Sequence, residues 1–215
     1  MKKFMFIHKL NFCMIILFIF NISITVSAVH AEIHHNTLTV DATDRENWVY
    51  TDLLRGEVVD INNATTSLNW DLAFRRTGVI VNGGISGPGE AAAVVLKDVL
   101  FEDILVAPEE GYVSDTEQIT TFATGDGWYT YTGPPNHWVL PNDVVYVLRT
   151  ATGNYAKLRF IGYYEDNENK VGSGFISIEY VLQDDGTRTF SGSEPPADVV
   201  AKQKLATTWA ALKRN

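Results

Sequence analysis

Sulfur-containing residues are nearly absent from this chain of 215 residues. The single cysteine is Cys13, and the three methionines are Met1, Met5 and Met14. Residues 15–215 therefore cannot form a disulfide framework, a thiolate zinc site or a cysteine nucleophile, and they offer no thioether ligand to a metal. The fold must be stabilised by a hydrophobic core instead.

Histidine is also scarce, and only His137 lies in the part that the sequence predicts to be folded. His34 and His35 are adjacent, as in a metal-binding pair, but they lie close to a predicted new N terminus, where disorder is the usual state. A lone loop histidine such as His137 is more often a surface residue than a ligand. Both interpretations of His137 stay open on the sequence alone.

Positive charge is sparse beyond the first residues. Lys2, Lys3 and Lys9 precede residue 31, whereas all 26 acidic residues follow it, which leaves residues 32–215 with a net charge of −12 when histidines are neutral. A surface of this sign repels phosphate backbones and anionic lipid. We therefore expect no nucleic-acid partner.

The N terminus has the pattern of a secretory signal peptide. Its basic start is followed by an apolar run from Met14 to Ile24 that is too short to span a bilayer. We predict that residues 1–28 are cleaved after Ala28, with a second small-residue cleavage site after Ala31. The product would be periplasmic, secreted or at the cell surface, with no stable membrane insertion.

No lipid anchor is expected either, because the residues before Cys13 are Leu10, Asn11 and Phe12 rather than the small residues that lipoprotein processing needs.

Residues 29–215 are predicted to form a single all-β domain of antiparallel strands with a C-terminal helix from Pro195. The clearest strands form a meander over residues 143–150, 155–164 and 175–182. Alternation in the middle strand places Ala156, Leu158 and Phe160 in the core and Tyr155, Lys157 and Arg159 in solvent. Residues 37–42, 48–52 and 56–61 also favour strands, and residues 91–105 fit a helix or a strand.

A further strand is predicted at residues 70–75, with Trp70, Leu72 and Phe74 on one face, followed by a glycine turn at 82–87. Tryptophans and glycines in such a pattern usually hold a core and its turns. We therefore expect this run to be structural rather than chemical.

Several sequence fragments, in this order and spacing, resemble the HmuY family of exported bacterial haem-capturing proteins. The fragments are Val40-Asp41-Ala42, Trp48-Val49-Tyr50, Gly56-Glu57-Val58-Val59, Trp70-Asp71-Leu72-Ala73-Phe74, Asn82-Gly83-Gly84 with Ser86-Gly87, and the run from Gly153 to Phe160 with Tyr163. The resemblance implies an all-β fold and haem as the cofactor.

The axial haem ligands of the family do not carry over to this chain residue by residue. The region of the first ligand, residues 112–127, contains no histidine, methionine or cysteine. The second ligand loop corresponds to residues 128–138, where His137 is present but displaced. His34 and His35 could add an imidazole only if the N-terminal part folded back over the pocket.

Candidate cofactor-binding residues therefore lie in that second loop: His137, which is also the candidate metal ligand, Tyr129, Tyr131 and Trp138. Imidazole and phenolate both bind ferric haem. The aromatic residues either line a cleft for a planar ring or belong to an ordinary strand, since Trp128 to Tyr131 also alternate.

Enzyme motifs are missing. The stretch Gly84-Ile85-Ser86-Gly87-Pro88 is not a nucleophile elbow, and the glycines of residues 82–89 lack the lysine of a phosphate loop. We predict a non-enzymatic protein that captures haem or a related tetrapyrrole for iron acquisition and passes it to an outer-membrane receptor. The alternative is a family scaffold that has lost haem ligation and binds a protein partner or another apolar ligand.

Overall fold

A computed structural model describes residues 32–190, and this part is almost entirely β-structure. Its strands are β1 (Ile33–Asp41), β2 (Val49–Asp52), β3 (Glu57–Val59), β4 (Leu72–Arg75), β5 (Gly78–Val81), β6 (Ala92–Lys97), β7 (Tyr129–Tyr131), β8 (Val139–Pro141), β9 (Val144–Arg149), β10 (Tyr155–Asp166) and β11 (Val171–Gln183). A single 3-10 turn covers Thr121–Ala123. The all-β class is confirmed.

The predicted signal peptide and C-terminal helix lie outside the described residues. Within residues 32–190, no helix is long and apolar enough to cross a membrane.

The larger sheet has five antiparallel strands in the order β1-β11-β10-β9-β6. Its centre is the predicted meander of β9, β10 and β11, which is confirmed. Within the ambiguous stretch 91–105, residues 92–97 form a strand paired with β9, whereas residues 98–105 form neither a helix nor a strand.

The expected disorder at His34 and His35 is wrong, because both residues belong to edge strand β1. This strand pairs with β11 along its whole length, from Ile33 opposite Gln183 to Asp41 opposite Phe175. The backbone groups of β11 would otherwise be unpaired on that side, so the pairing satisfies both strands.

The smaller sheet has the order β3-β2-β4-β5 and contains the predicted strand at residues 70–75. The predicted face is wrong at Trp70, since β4 begins only at Leu72. Leu72 and Phe74 lie in the main core, whereas Trp70 packs with Ala73 and Ile80 in a separate cluster. The alternation therefore starts two residues later than the sequence pattern indicates.

Asp71 explains why the alternation of buried side chains does not begin at Trp70. Its carboxylate is buried where the two sheets approach each other. Its Oδ2 accepts a hydrogen bond from the backbone N–H of Leu53 at 3.0 Å, and its Oδ1 accepts one from the N–H of Ala151 at 3.0 Å. The side chain thus links the β2–β3 turn to the β9–β10 turn. Burial raises the pKa of Asp71 to about 6, although both N–H donors act in the opposite direction.

The glycine turn is structural, as expected. The Asn82 side-chain amide donates to the backbone oxygen of Trp70 at 2.8 Å. A Cβ added at Gly83 would lie 2.1 Å from the backbone oxygen of Ala91, so only glycine fits there.

The main core lies between the two sheets and includes the inward side chains of β10, as predicted. The other face of β10 is only partly in solvent, however, and Ile161 is exposed there. Segment 98–108 folds over it and forms a second apolar cluster that includes Phe101, Ile104 and Phe190.

Lys157 is buried under this segment, which corrects its predicted exposure. Its ammonium donates to the backbone oxygens of Phe101 at 2.7 Å and Ile104 at 3.0 Å. The burial lowers the pKa of Lys157. Arg159, on the same face, is half-buried and forms an ion pair with Glu179 at 2.7 Å.

The pH dependence of stability tests the position of Asp71. A carboxyl whose pKa is raised on folding binds its proton more tightly in the folded state, so the unfolding free energy falls as pH rises through the two pKa values. We expect wild type to lose stability relative to Asp71→Asn between about pH 4 and about pH 6. Over this whole pH range the unfolding free energy of wild type should fall by on the order of 3 kcal/mol relative to that of Asp71→Asn.

Urea unfolding at several pH values measures this difference, and Asp60→Asn, at an exposed carboxyl, is the control. A constant offset between wild type and Asp71→Asn across this range would contradict a buried carboxyl at residue 71.

Candidate ligand-binding site

A short hairpin carries the residues that the sequence singles out. Strands β7 and β8 pair with Tyr131 opposite Val139. The connecting loop is closed by a hydrogen bond from the N–H of His137 to the backbone oxygen of Gly133 at 2.7 Å, and both residues have positive φ angles, +56° and +66°. This turn reverses the chain and brings His137 back towards Tyr131.

The structure brings two of the predicted site residues into direct contact. The hydroxyl of Tyr131 and Nδ1 of His137 form a hydrogen bond. The two ring centroids are 5.8 Å apart, and both side chains are exposed, Tyr131 by 53%. A phenolic oxygen and an imidazole nitrogen are therefore adjacent to each other on exposed side chains.

Trp128, at the start of the hairpin, is a core residue. Its ring is 2% exposed and stacks on Phe160 with centroids 4.5 Å apart. Its Nε1–H donates to the backbone oxygen of Thr77 at 3.0 Å. Trp128 precedes β7, which begins at Tyr129, and its ring belongs to the main core while also bordering a cleft.

The cleft has a volume of about 340 Å³ and lies beside the hairpin. Its aromatic and apolar lining includes Val79, Phe122, Ala123, Trp128 and Tyr129. Of the predicted site residues only Tyr129 lines it, whereas His137, Tyr131 and Trp138 do not.

One wall of the cleft is the loop of residues 120–127, which the sequence did not identify as part of a binding site. The pair Gly125 and Gly127 is the sequence feature that could have indicated a tight loop there, since both residues have φ of +68°.

Tyr131 lies on the same face of the hairpin as Tyr129, which lines the cleft. Side chains two residues apart on a strand share a face, so Tyr131 continues the face that Tyr129 presents to the cleft. Val139, the cross-strand neighbour of Tyr131, is buried in the main core. Thr130 points the other way and donates to Asn142 Oδ1 at 2.7 Å. We call the cleft together with Tyr129, Tyr131 and His137 the hairpin site.

The fourth predicted residue, Trp138, ends the loop with 37% of its surface exposed. Its backbone N–H donates to Thr132 Oγ1 at 3.0 Å.

His34 cannot supply a second imidazole to the hairpin site. In the larger sheet His34 lies opposite Leu182, and Leu182 lies opposite Ala156 of β10. The hairpin contacts β10 near Tyr164 instead, where the Tyr164 hydroxyl accepts a hydrogen bond from the N–H of Val139 at 2.9 Å. These two positions are roughly 25 Å apart along the strand, at about 3.3 Å per residue. His34 instead lies 3.5 Å from Asp184.

A larger groove, of about 810 Å³, lies along residues 55–69. Its lining is mainly polar and contains neither an aromatic ring nor an imidazole. It therefore lacks the groups that would stack on a planar ligand or bind iron.

The fold and the site define a class, that of all-β proteins in which a hairpin and neighbouring loops form an aromatic cleft at one end of two packed sheets. The family model described as HmuY protein matches residues 44–180, which is more than half of the chain. The chain therefore belongs to the HmuY family, which includes haem-binding proteins.

Solved structures agree with this fold. The apo HmuY analogue of Tannerella forsythia is similar with a TM-score of 0.54 and 18% identity, over 71% of this chain and 97% of that chain. Apo PinO from Porphyromonas gingivitis is similar with a TM-score of 0.50 and 15% identity, over 70% and 98%. At these identities the likeness concerns the fold alone. No curated protein matches this sequence.

The distinction between Trp128 and Tyr131 is testable by stability. Trp128→Ala removes a buried ring and its hydrogen bond, and we expect a loss of about 3–5 kcal/mol in the unfolding free energy. Tyr131→Ala truncates an exposed ring and should change that free energy by under about 1 kcal/mol. Urea unfolding measures both variants, and equal losses would contradict the assignment of Trp128 to the core and Tyr131 to the surface.

Proposed function

We propose that this chain is an exported, non-enzymatic binding protein that captures haem or a related tetrapyrrole at the hairpin site, in the service of iron acquisition. The observation that carries the proposal is that one hairpin holds both Tyr129, which lines a cleft with aromatic walls, and the hydrogen-bonded pair Tyr131 and His137, whose side-chain types can bind iron. Membership of the HmuY family supports it.

The residues present fit such a cofactor. The cleft falls within the range of about 300–1,000 Å³ that is usual for small-molecule sites, and its lining combines the rings of Phe122, Trp128 and Tyr129 with polar residues such as Thr77, Thr120 and Asp126. Tyr129 and the border of Trp128 would contact a planar ring. Burial of apolar surface contributes about 25 cal/mol per Å² before the costs of association are subtracted.

Ligation of the iron would come from one side, through the Tyr131–His137 pair. The opposite wall, at residues 120–127, contains no histidine, methionine or cysteine. When bound, the haem iron supplies a Lewis acid to which a phenolate or imidazole donates a lone pair. The chain itself holds the ring, orients it by the donor pair and shields one edge from water.

The same single-sided site also favours a second candidate function. A family scaffold without a complete ligand pair could bind a protein partner or another apolar ligand instead. This second function would be indicated if the protein does not bind haem at a defined ratio of haem to chain.

The remaining parts of the proposal concern maturation and delivery. Residues 1–28 would act as a cleaved export signal, with cleavage after residue 31 as the alternative, and 29–215 would be the binding domain. Export places the protein where free haem and an outer-membrane receptor are accessible. The acidic surface disfavours nucleic acid as a partner.

Titration with ferric haem tests the proposal. We expect a saturable shift of the Soret band at one haem per chain. Ala123→Trp, which places a large ring in the cleft from its exposed lining, should weaken binding at least tenfold. Thr152→Trp, at an exposed position in the β9–β10 turn at the other end of the larger sheet, is the matched control.

No Soret shift with wild type would overturn haem capture. A stoichiometric protein partner recovered from envelope extracts in that case would support the second candidate function. Equal weakening by both tryptophan variants would overturn the cleft as the binding place.

A further inference from the structure

We propose that Glu32, His34 and Asp184 form a binding site for a first-row transition-metal dication such as Zn²⁺, at the edge of the larger sheet. The bound metal joins the beginning of β1 to the turn that follows β11. This inference is independent of the hairpin site and of haem capture, so either proposal can fail without the other.

The pairing of β1 with β11 brings the three side chains to one face of the sheet. His34 lies opposite Leu182, so these two side chains share a face. Glu32 lies two residues before His34, and Asp184 lies two residues after Leu182, which places both on that same face. The backbone N–H of Asp184 donates to the backbone oxygen of Glu32 at 3.4 Å, so the pairing continues beyond the ends of the strands.

The ligand atoms are close enough to bind one metal ion. One nitrogen or oxygen atom from each of the three side chains lies within 4.8 Å of the other two. Nε2 of His34 and Oδ2 of Asp184 are 3.5 Å apart, which is longer than the usual N–H···O distance of about 2.7–3.2 Å. Two ligands of a tetrahedral zinc ion, each about 2.1 Å from the metal, are about 3.4 Å apart. The observed separation therefore fits a shared metal better than a direct hydrogen bond.

Backbone contacts hold two of the ligands in place. The backbone N–H of Glu32 donates to Asp184 Oδ1 at 2.9 Å, while Oδ2 of the same carboxylate faces His34. Hydrogen bonds of this kind to a metal-binding carboxylate fix its orientation. The side chains of His34 and Asp184 are 23% and 28% exposed, and Glu32 is exposed. A metal ion can therefore enter from the solvent side, where Glu32 can rotate onto it.

The donor set selects the class of metal. One imidazole and two carboxylates suit Zn²⁺ and its neighbours in the first transition row, whereas Ca²⁺ and Mg²⁺ prefer oxygen ligands alone. Three protein ligands leave the fourth tetrahedral position to a water molecule. The net charge of −12 over residues 32–215 attracts cations to the surface in general. The imidazole makes the site selective among them.

Two neighbouring residues of the same types lie outside the site. His35 lies opposite Val181, on the other face of β1, where Val181 belongs to the second apolar cluster. The carboxylate of Asp185 serves its own turn, where it accepts the N–H of Thr187 at 2.7 Å and a hydrogen bond from the side-chain amide of Gln183. His35 and Asp185 therefore provide matched controls for His34 and Asp184.

Calorimetric titration of the haem-free full chain with Zn²⁺ tests the site. We expect one Zn²⁺ per chain, with the affinity reduced by about tenfold or more in His34→Ala and in Asp184→Asn. His35→Ala and Asp185→Asn remove the same chemical groups from adjacent positions and should keep the wild-type affinity. Ca²⁺ at the same concentration should not compete with Zn²⁺.

Urea unfolding with and without Zn²⁺ tests whether the metal joins the two strands. A ligand that binds only the folded state raises the unfolding free energy, so the midpoint for wild type should rise with Zn²⁺. The midpoint for His34→Ala should not respond to Zn²⁺. The curves without metal show whether each variant is folded.

Absence of saturable Zn²⁺ binding by wild type would overturn the site. Equal losses of affinity in His34→Ala and His35→Ala would overturn it in favour of the adjacent histidine pair, and a loss confined to His137→Ala would overturn it in favour of the hairpin. Zn²⁺ binding without a rise in the unfolding midpoint would contradict the joining of β1 to β11. These experiments contain no haem, so haem capture is decided separately by the Soret titration.

Discussion

The structure depends on the packing of both faces of strand β10 over residues 155–160. One face supplies Leu158 and Phe160 to the main core between the sheets, and the other lies under segment 98–108 with Lys157. The candidate site is attached to the same strand, because Trp128 stacks on Phe160 and Val139 donates to the Tyr164 hydroxyl. A strand packed on both sides has little freedom to move, so it provides a rigid support for a hairpin whose ligand-facing residues are exposed.

The sequence predicts best what is local in the chain. The meander is recognisable because alternation and turn residues lie within the strands themselves. Lys157 is different, since its partners Phe101 and Ile104 are more than fifty residues away and a buried lysine looks like an exposed one in an alternating pattern. The predicted face of Trp70 is wrong for a similar reason, because the backbone N–H of Ala151, eighty residues away, holds the neighbouring Asp71.

The candidate site shows the same limit at a finer scale. Tyr129, Tyr131 and His137 are identifiable as residue types that bind a ring or its iron. The contact between the last two depends on a left-handed φ at His137, and this angle has no signature in the sequence. The cleft was equally hidden, because its walls come from β5, the 120–127 loop and β7, which are brought together only by the tertiary fold.

The edge strand β1 has a consequence for how the molecule is assembled. It pairs with β11, and the contact between His34 and Asp184 joins residues 150 positions apart in the chain. A chain that emerges from a ribosome N terminus first holds β1 unpaired until β11 has appeared. Such long-range closure is slow compared with the hairpin of β10 and β11. The larger sheet is thus completed after emergence rather than during it, and β1 must be kept from pairing with other chains in that interval.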